Sequence, residues 1–315
     1  MASPFFTVFT PTHNRAHTLR KPFESLLQQT FRDFEWLVVD DGSTDNTRDL
    51  IEAWAREAWF PVRYFYQTHK HKKAAFNLAA REAQGYLLAD LDSDDEFFPD
   101  TLETFYRVWH EIPEEQRERF VGVTGLCVYE NGQVVGDPFP YECFDASVLD
   151  VELYKWKLKG DKSGCMRVDL LRRFPFPEDV QGYVVLNIVW EQIARAGYLT
   201  RFINKPVLLV HETPNSLIRT GNQNIKYAEG LGQWTAITLD ADLSKYFWRN
   251  PVFFIKLGAG LTRYHWHMRD QGISRRWQLT SPIARLFVSV LYPIGIVLYY
   301  RDRWIARLND TREVR

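Results

Sequence analysis

Cysteine is scarce in this chain, with only Cys127, Cys143 and Cys165 among 315 residues. An odd count at those spacings fits neither a disulfide framework nor a zinc ribbon, so the three read as small core residues of a reducing compartment. Glycine and proline are ordinary in number, no low-complexity tract occurs and no repeat of about 20–50 residues recurs, which sets aside disordered and solenoid chains. The opening MASPFFTVFTPTHNR holds no basic stretch followed by a long apolar run, so no secretory leader is expected. Long apolar runs are missing too: LFVSVLYPIGIVLYY (286–300) stops at 15 residues, short of the roughly 20 that a spanning helix needs.

What is present is a chain 45% apolar and 15% aromatic, enough for one large core or two modest ones. Its net charge of −1 hides an asymmetry. From Lys245 onward there are 13 Lys/Arg against 4 Asp/Glu, leaving 26 against 36 before it. The basic stretch also holds 13 aromatics, a mixture that suits an anionic membrane surface or a nucleic acid. Arg285 before the 286–300 run and Arg301, Arg303 and Arg307 after it favour an interfacial or re-entrant segment, with a soluble hairpin broken at Pro293 and Gly295 as the alternative.

Apolar periodicity alternates along the first hundred residues. FFTVFT (5–10), EWLVVD (35–40), VRYFY (62–66) and YLLADL (86–91) read as strands. TLRKPFESLLQQT, STDNTRDLIEAWAREA and KAAFNLAAREA between them read as helices. Such alternation predicts an α/β fold with a mostly parallel sheet covered by helices on both sides, whose ligands gather beyond the carboxyl ends of the strands. FVGVTGLCVYENGQVVG then suggests a hairpin turning at Asn131-Gly132, and LNIVWEQIARAG a helix closed by Gly197. Composition shifts near residue 240, where a domain boundary is expected.

Three strand ends deliver polar clusters: Pro11-Thr12-His13-Asn14, Asp40-Asp41-Gly42-Ser43 and Asp92-Ser93-Asp94-Asp95. Carboxylates about 5 Å apart repel by roughly 3 kcal/mol at an effective dielectric near 20, and a hard divalent cation with oxygen ligands cancels that repulsion. A solvated acidic turn or a helix cap accounts for either acidic cluster taken alone. The basic HKHKKAAFN (69–77) opens a helix, where cations oppose the macrodipole unless an outside anion such as a diphosphate is bound; a solvated basic loop is the plain alternative.

Taken together, TVFTPTHNRAHTL, QTFRDFEWLVVDDGSTDNT and HKHKKAAFNLAAREAQGYLLADLDSDDEFFPDTLE resemble the inverting, nucleotide-sugar-dependent glycosyltransferases of family 2, which have the glycosyltransferase A-type fold. A weaker likeness continues through VDLLRRFPFPEDV and WEQIARAGYLTRFINKPVLLVHETPNSL. The resemblance implies a catalytic domain with a nucleotide half and an acceptor half; with the boundary that composition sets near 240, these are expected over 1–110 and 111–240, and the basic, aromatic composition beyond it predicts a helical, membrane-associating extension over 241–315. It implies that Pro11, Thr12 and Asn14 line the nucleotide pocket, with His13 where relatives often have Tyr, and that Asp41, preceded by Asp40, reads the uracil edge. Lys72 and Asn77 match a Gly-Lys-His-x-Ala-x-Asn pattern in which His71 replaces the Gly and Lys73 the His. Asp92 and Asp94, with Ser93 between them and Asp95 next, match the D-x-D element that meets the sugar nucleotide and its Mg²⁺ or Mn²⁺. His211 resembles a late metal-contacting His.

One departure stands out. Relatives carry their general base four or five residues before the position of Trp190, where this chain has Val185 and Leu186. Glu191 first and Asp179 second are the carboxylates left to take that role, with Glu178 also nearby; a binder that holds a nucleotide sugar without transferring it is the alternative. The expectation is therefore a metal-dependent transferase. It moves a sugar from a UDP-sugar to a glycan or polyprenyl-linked acceptor in cell-surface polysaccharide synthesis. It is cytoplasmic and peripheral on the inner face of the membrane, without nucleic acid as a partner.

Overall fold

The computed structural model describes residues 3–211 and 223–313. These divide into two compact units, one of residues 1–178 and 189–213, the other of 179–188 and 214–315. The expected boundary near 240 falls inside a helix, and residues 212–217 of the weaker family likeness lie outside the described residues.

The first unit is built on one nine-stranded sheet. Strands β1 (Phe6–Thr12), β2 (Phe34–Asp40), β3 (Val62–Tyr66) and β4 (Leu87–Asp90) lie where the apolar runs predict them. All are parallel, in the order β3-β2-β1-β4. Helices α1 (Arg20–Leu27), α2 (Thr47–Glu57) and α3 (His71–Glu82) make the crossovers. Every residue of β2 is buried, which is why its sequence is a continuous apolar run rather than an alternation. The exception, Glu35, is satisfied inside the protein: it accepts from the Thr7 hydroxyl at 2.6 Å, the Gln84 N–H at 2.8 Å and Arg63 at 3.1 Å. Leaving such a group unpaired would cost several kcal/mol.

Beyond β4 the pattern changes. Strands β5 (Glu96–Phe97), β6 (Phe120–Tyr129), β7 (Cys143–Ala146), β8 (Lys162–Arg167) and β9 (Leu199–Val210) complete the sheet, separated by α4 (Thr101–His110), α5 (Val168–Arg173) and α6 (Asn187–Arg195). Among them only β6 and β9 pair in parallel, and β8 joins β4 antiparallel, so the sheet is mixed, with its parallel half at the N-terminus. The core is continuous across both halves, from Phe6, Trp36 and Leu87 to Trp109, Val123 and Val207.

The second unit is helical: α7 (Gln223–Lys226), α8 (Ala228–Tyr246), α9 (Pro251–Asp270) and α10 (Pro282–Glu313). The soluble-hairpin alternative for 286–300 is overturned, because α10 runs unbroken through Pro293 and Gly295.

Candidate active site

Parallel pairing brings the strand ends to one rim. Thr12 lies opposite Asp40, Asp40 opposite Tyr66, and Phe9 opposite Asp90. The three polar clusters seen in the sequence therefore leave the sheet on the same side, as expected of an α/β sheet with its ligand site beyond the strand carboxyl ends.

The first two turns are tied to each other. Asn14, in a left-handed conformation (φ +52°), donates its N–H to Ser43 Oγ at 2.8 Å and accepts the Thr44 N–H on Oδ1 at 2.8 Å. Asp40 accepts the Ser43 N–H at 2.8 Å and the Tyr64 hydroxyl at 2.7 Å. Gly42 has φ +88°, and a Cβ there would sit 2.9 Å from the His69 backbone nitrogen, so glycine is needed twice over. Asp41 is buried and faces its own protein. Gln67 Nε2 and the Lys70 N–H, both at 2.7 Å, reach Oδ1; the His71 N–H and His69 Nδ1, both at 2.8 Å, reach Oδ2. A carboxylate has about four lone-pair positions, so reading a base edge would require Asp41 to release one of these partners. The rings of His13 and His69 lie 4.4 Å apart, and the buried Thr12 hydroxyl has no hydrogen-bond partner.

The third turn gathers the charge. Lys72 Nζ reaches Asp92 Oδ1 at 2.5 Å, and Arg15 reaches Asp94 Oδ2 at 3.2 Å. Burial acts to lower the Lys72 ammonium, but Asp92, Asp90 and Asp95 outweigh it and hold it above its ordinary value. Asp95 is buried, and burial together with Asp92 and Asp94 pushes it up to about 8, even though it accepts the His211 N–H at 3.2 Å. Asp90, at the end of β4, rises to about 6 through burial. The cluster thus holds more carboxyl groups than it can ionise together, with Asp95 mostly protonated at neutral pH, and its all-oxygen donor set suits a hard divalent cation that would release that proton. Among the described residues no three His, Cys, Asp or Glu side chains converge on a point, so such an ion would complete its shell with ligand oxygens and water.

Residues 7–116 match the profile of Glycosyl transferase family 2. Those residues belong to glycosyl transferase family 2. Within this family 2 stretch, the chain is 38% identical over 97 residues to an uncharacterized glycosyltransferase of Rickettsia felis, which is 31% of this chain and 16% of that protein. The first eight curated relatives are matched over only 14–40% of their own lengths. The fold is similar to S. aureus TarS 1–349 in complex with UDP, with a TM-score of 0.58 and 17% identity over 96% of this chain and 91% of that one. It is also similar to the mannosyltransferase PcManGT from Pyrobaculum calidifontis in complex with GDP-Man and Mn²⁺, with a TM-score of 0.56 and 19% identity over 96% and 85%. These likenesses agree with the mixed α/β, glycosyltransferase A-like architecture.

The remaining expected residues are more constrained. Asn77 gives both amide hydrogens away, to Phe176 O at 2.9 Å and Glu178 Oε1 at 2.8 Å, while its oxygen accepts the Phe176 N–H at 2.8 Å; it clamps α3 to the 176–178 loop. His211 lies between two carboxylates, with Nε2 on Glu96 at 2.7 Å and Nδ1 on Glu130 at 2.5 Å, so binding a metal would displace one of them. Glu191 is 1% exposed and paired with Arg195 at 2.8 Å, which puts it out of reach of an acceptor hydroxyl. Asp179, in the second unit, is exposed and pairs with Arg275. Such surface pairs are worth about 0–1 kcal/mol and open readily.

Sequence reasoning passed over Arg15, Tyr64, Glu96 and Glu130. Arg15 directly follows the Pro-Thr-His-Asn turn and Glu96 directly follows Asp95, so adjacency was available as a signal. Glu130 is 81 positions from His211 and gave none. An open cleft of about 340 Å³ lies beside the rim, lined by residues that include Asp40, Asp45, Arg48 and Tyr64.

Proposed function

We propose that the chain is a metal-dependent, inverting glycosyltransferase that moves a sugar from a UDP-sugar to a hydroxyl of a glycan or lipid-linked glycan in cell-surface polysaccharide synthesis. The observation that carries this reading is the Asp92–Asp95 turn. At the carboxyl end of a parallel strand it gathers three carboxyl groups, of which Asp92 and Asp94 meet Lys72 and Arg15 while Asp95 is held mostly protonated, within residues 7–116 that match the family. Held by one or two of the carboxylates Asp92, Asp94 and Asp95, with ligand oxygens and water completing its shell, Mg²⁺ or Mn²⁺ would supply Lewis-acid stabilisation of the departing diphosphate. The ammonium of Lys72 and the guanidinium of Arg15 add fixed positive charge where that leaving group develops its own negative charge. Pro11, Thr12 and the His13–His69 rings frame the nucleoside, with the unpartnered Thr12 hydroxyl available to it. Asp40, Asp41 and Asn14 position these turns. Attack from the face opposite the diphosphate inverts the anomeric centre, and the acceptor proton goes to a general base, the role expected of Glu191 or Asp179.

The test is release of UDP from a panel of UDP-sugars by the purified protein, with and without Mn²⁺. Asp92→Ala and Asp94→Ala should each lose at least about a hundredfold in metal-dependent turnover. Full turnover in either variant sinks the assignment. A second reading, a nucleotide-sugar binder that transfers nothing, draws on Val185 and Leu186 at the usual base position and on the burial of Glu191. Calorimetric binding of UDP with Mn²⁺, without turnover on any donor, would select it.

A further inference from the structure

Helix α10 is satisfied on one side only. Ala284, Leu291, Gly295, Tyr299 and Asp302 are buried, three to seven positions apart, and form the face that packs on α9. The two helices approach closely there. A Cβ on Gly295 would lie 2.5 Å from Thr262 Cβ, and one on Gly258 2.6 Å from Leu291 Cδ1. Polar groups on this face are matched as well: Asp302 accepts from Arg263 and from His267 Nε2 at 3.0 Å, and the Tyr299 hydroxyl donates to Asp270 at 2.7 Å.

Among the described residues the opposite arc has no such partners. Ile283, Leu286, Val290, Ile294, Val297 and Trp304 are 49–68% exposed. At about 100° per residue they fall on one arc roughly 80° wide. Arg285, Ser289, Arg303 and Arg307 share a flank of that arc and are exposed. An apolar arc bordered by arginines, with Arg301 exposed inside it near the Tyr300–Trp304 end, where a long cationic side chain reaches the headgroups, has the charge and chemistry of a face that meets anionic lipid.

By length and composition Pro282–Leu308 is also able to cross a bilayer. Its packing argues otherwise. From Gly258 against Leu291 to Asp270 against Tyr299 and Arg303, α9 runs alongside α10, bringing Lys256, Arg263, Arg269 and Asp270 with it. Crossing would carry those charges into hydrocarbon, whereas lying flat leaves them in water.

We propose that α10 docks in the plane of an anionic bilayer surface, such as the cytoplasmic leaflet, with the Ile283–Trp304 arc in the acyl boundary and its arginines at the phosphates. This surface is independent of the sugar-nucleotide reading, so neither falls with the other.

Flotation of the full chain with phosphatidylcholine vesicles, with or without 30 mol% phosphatidylglycerol, tests it (about a third anionic, as in the surfaces that attract basic segments). Wild type should float with the anionic vesicles. The triple variant Leu286→Ser, Val290→Ser, Val297→Ser, which alters only exposed side chains and should keep its circular dichroism, should lose at least about tenfold in partitioning. Arg285→Gln should weaken binding about fivefold at low salt and not at high salt. No flotation of wild type, or a triple variant that floats as well, overturns the proposal. So does a wild-type dimer in light scattering that the triple variant converts to monomer while vesicles stay bare. Ser289→Cys in a Cys143→Ser background distinguishes flat from crossing: on vesicles it should label fully with an impermeant maleimide, and protection from the label overturns the in-plane arrangement.

Discussion

Asp41 Oδ2 accepts the backbone N–H of His71 at 2.8 Å, and His71 presents that N–H from a left-handed conformation with φ +68°. The family pattern has glycine at this position. The left-handed region costs an L-residue about 1–2 kcal/mol, of which glycine's extra unfolded freedom would return about 0.5–1. His71→Gly should therefore stabilise the protein by about 0.5–1 kcal/mol in urea unfolding. Destabilisation by His71→Gly would show that the ring, 4.5 Å from His69, contributes more than the strain costs.

The complementary change attacks the acceptor. Asp41→Asn replaces one oxygen with a donor that faces backbone N–H groups and so leaves buried donors unpaired. A loss of about 2–3 kcal/mol is expected, with faster hydrogen exchange at Lys70 and His71. If Asp41 is spent mainly on a ligand, stability will hardly move and only UDP affinity will fall.

The N-terminal end of α2 gives a pH-dependent test. Although burial raises it, Asp45 lies below its ordinary value because the Thr47 hydroxyl and the N–H groups of Ala16 and Thr47 bond the charged form. A carboxylate depressed in the folded state contributes stability above its unfolded pKa and loses it as pH falls through the lower folded one. Asp45→Asn should cost about 0.5–1 kcal/mol at neutral pH, as other helix-start acceptors do. The gap to wild type should close below about pH 3.9, the unfolded value. A gap that stays constant to pH 2.5 would mean that the charge is not what matters.

Glu191 and Asp179 separate fold from chemistry. Glu191→Gln leaves Arg195 without its buried countercharge and should cost about 3 kcal/mol in stability. Turnover per folded molecule should persist. Asp179→Asn breaks a surface pair, so its thermal midpoint should barely change while turnover collapses. The reverse pattern would return the base to Glu191.

The parallel half of the sheet was legible in the sequence because β1, β2 and β4 are apolar runs bounded by polar turns, and that pattern has few alternative readings. What Asp41 does was not. Its partners are backbone N–H groups 29 and 30 positions later, and backbone donors leave no trace in residue identity. The Glu191–Arg195 pair was hidden for a related reason: a carboxylate in an amphipathic helix looks the same whether it faces an acceptor or an arginine four residues on. Continuity of α10 through Pro293 was hidden because proline normally breaks a helix. Here it sits on the exposed arc, away from the face that packs on α9. The place of the D-S-D-D turn was readable because it directly follows an apolar strand of the parallel half.

Lys72 yields the most specific expectation for that turn. Its ammonium, 2.5 Å from Asp92 Oδ1, occupies a position where it competes with any divalent cation for that oxygen, yet it also supplies charge to a diphosphate. Lys72→Met removes both effects. With the competitor gone, Mn²⁺ should bind several-fold more tightly in the absence of donor. With the phosphate partner gone, a charge-assisted bond of about 1.5–3 kcal/mol disappears and KM for the UDP-sugar should rise about tenfold or more. The two constants then move in opposite directions. A lysine that served only to hold the turn in shape would shift both the same way and lower the thermal midpoint, and calorimetry with Mn²⁺ alone, before any donor is added, is the measurement that tells these outcomes apart.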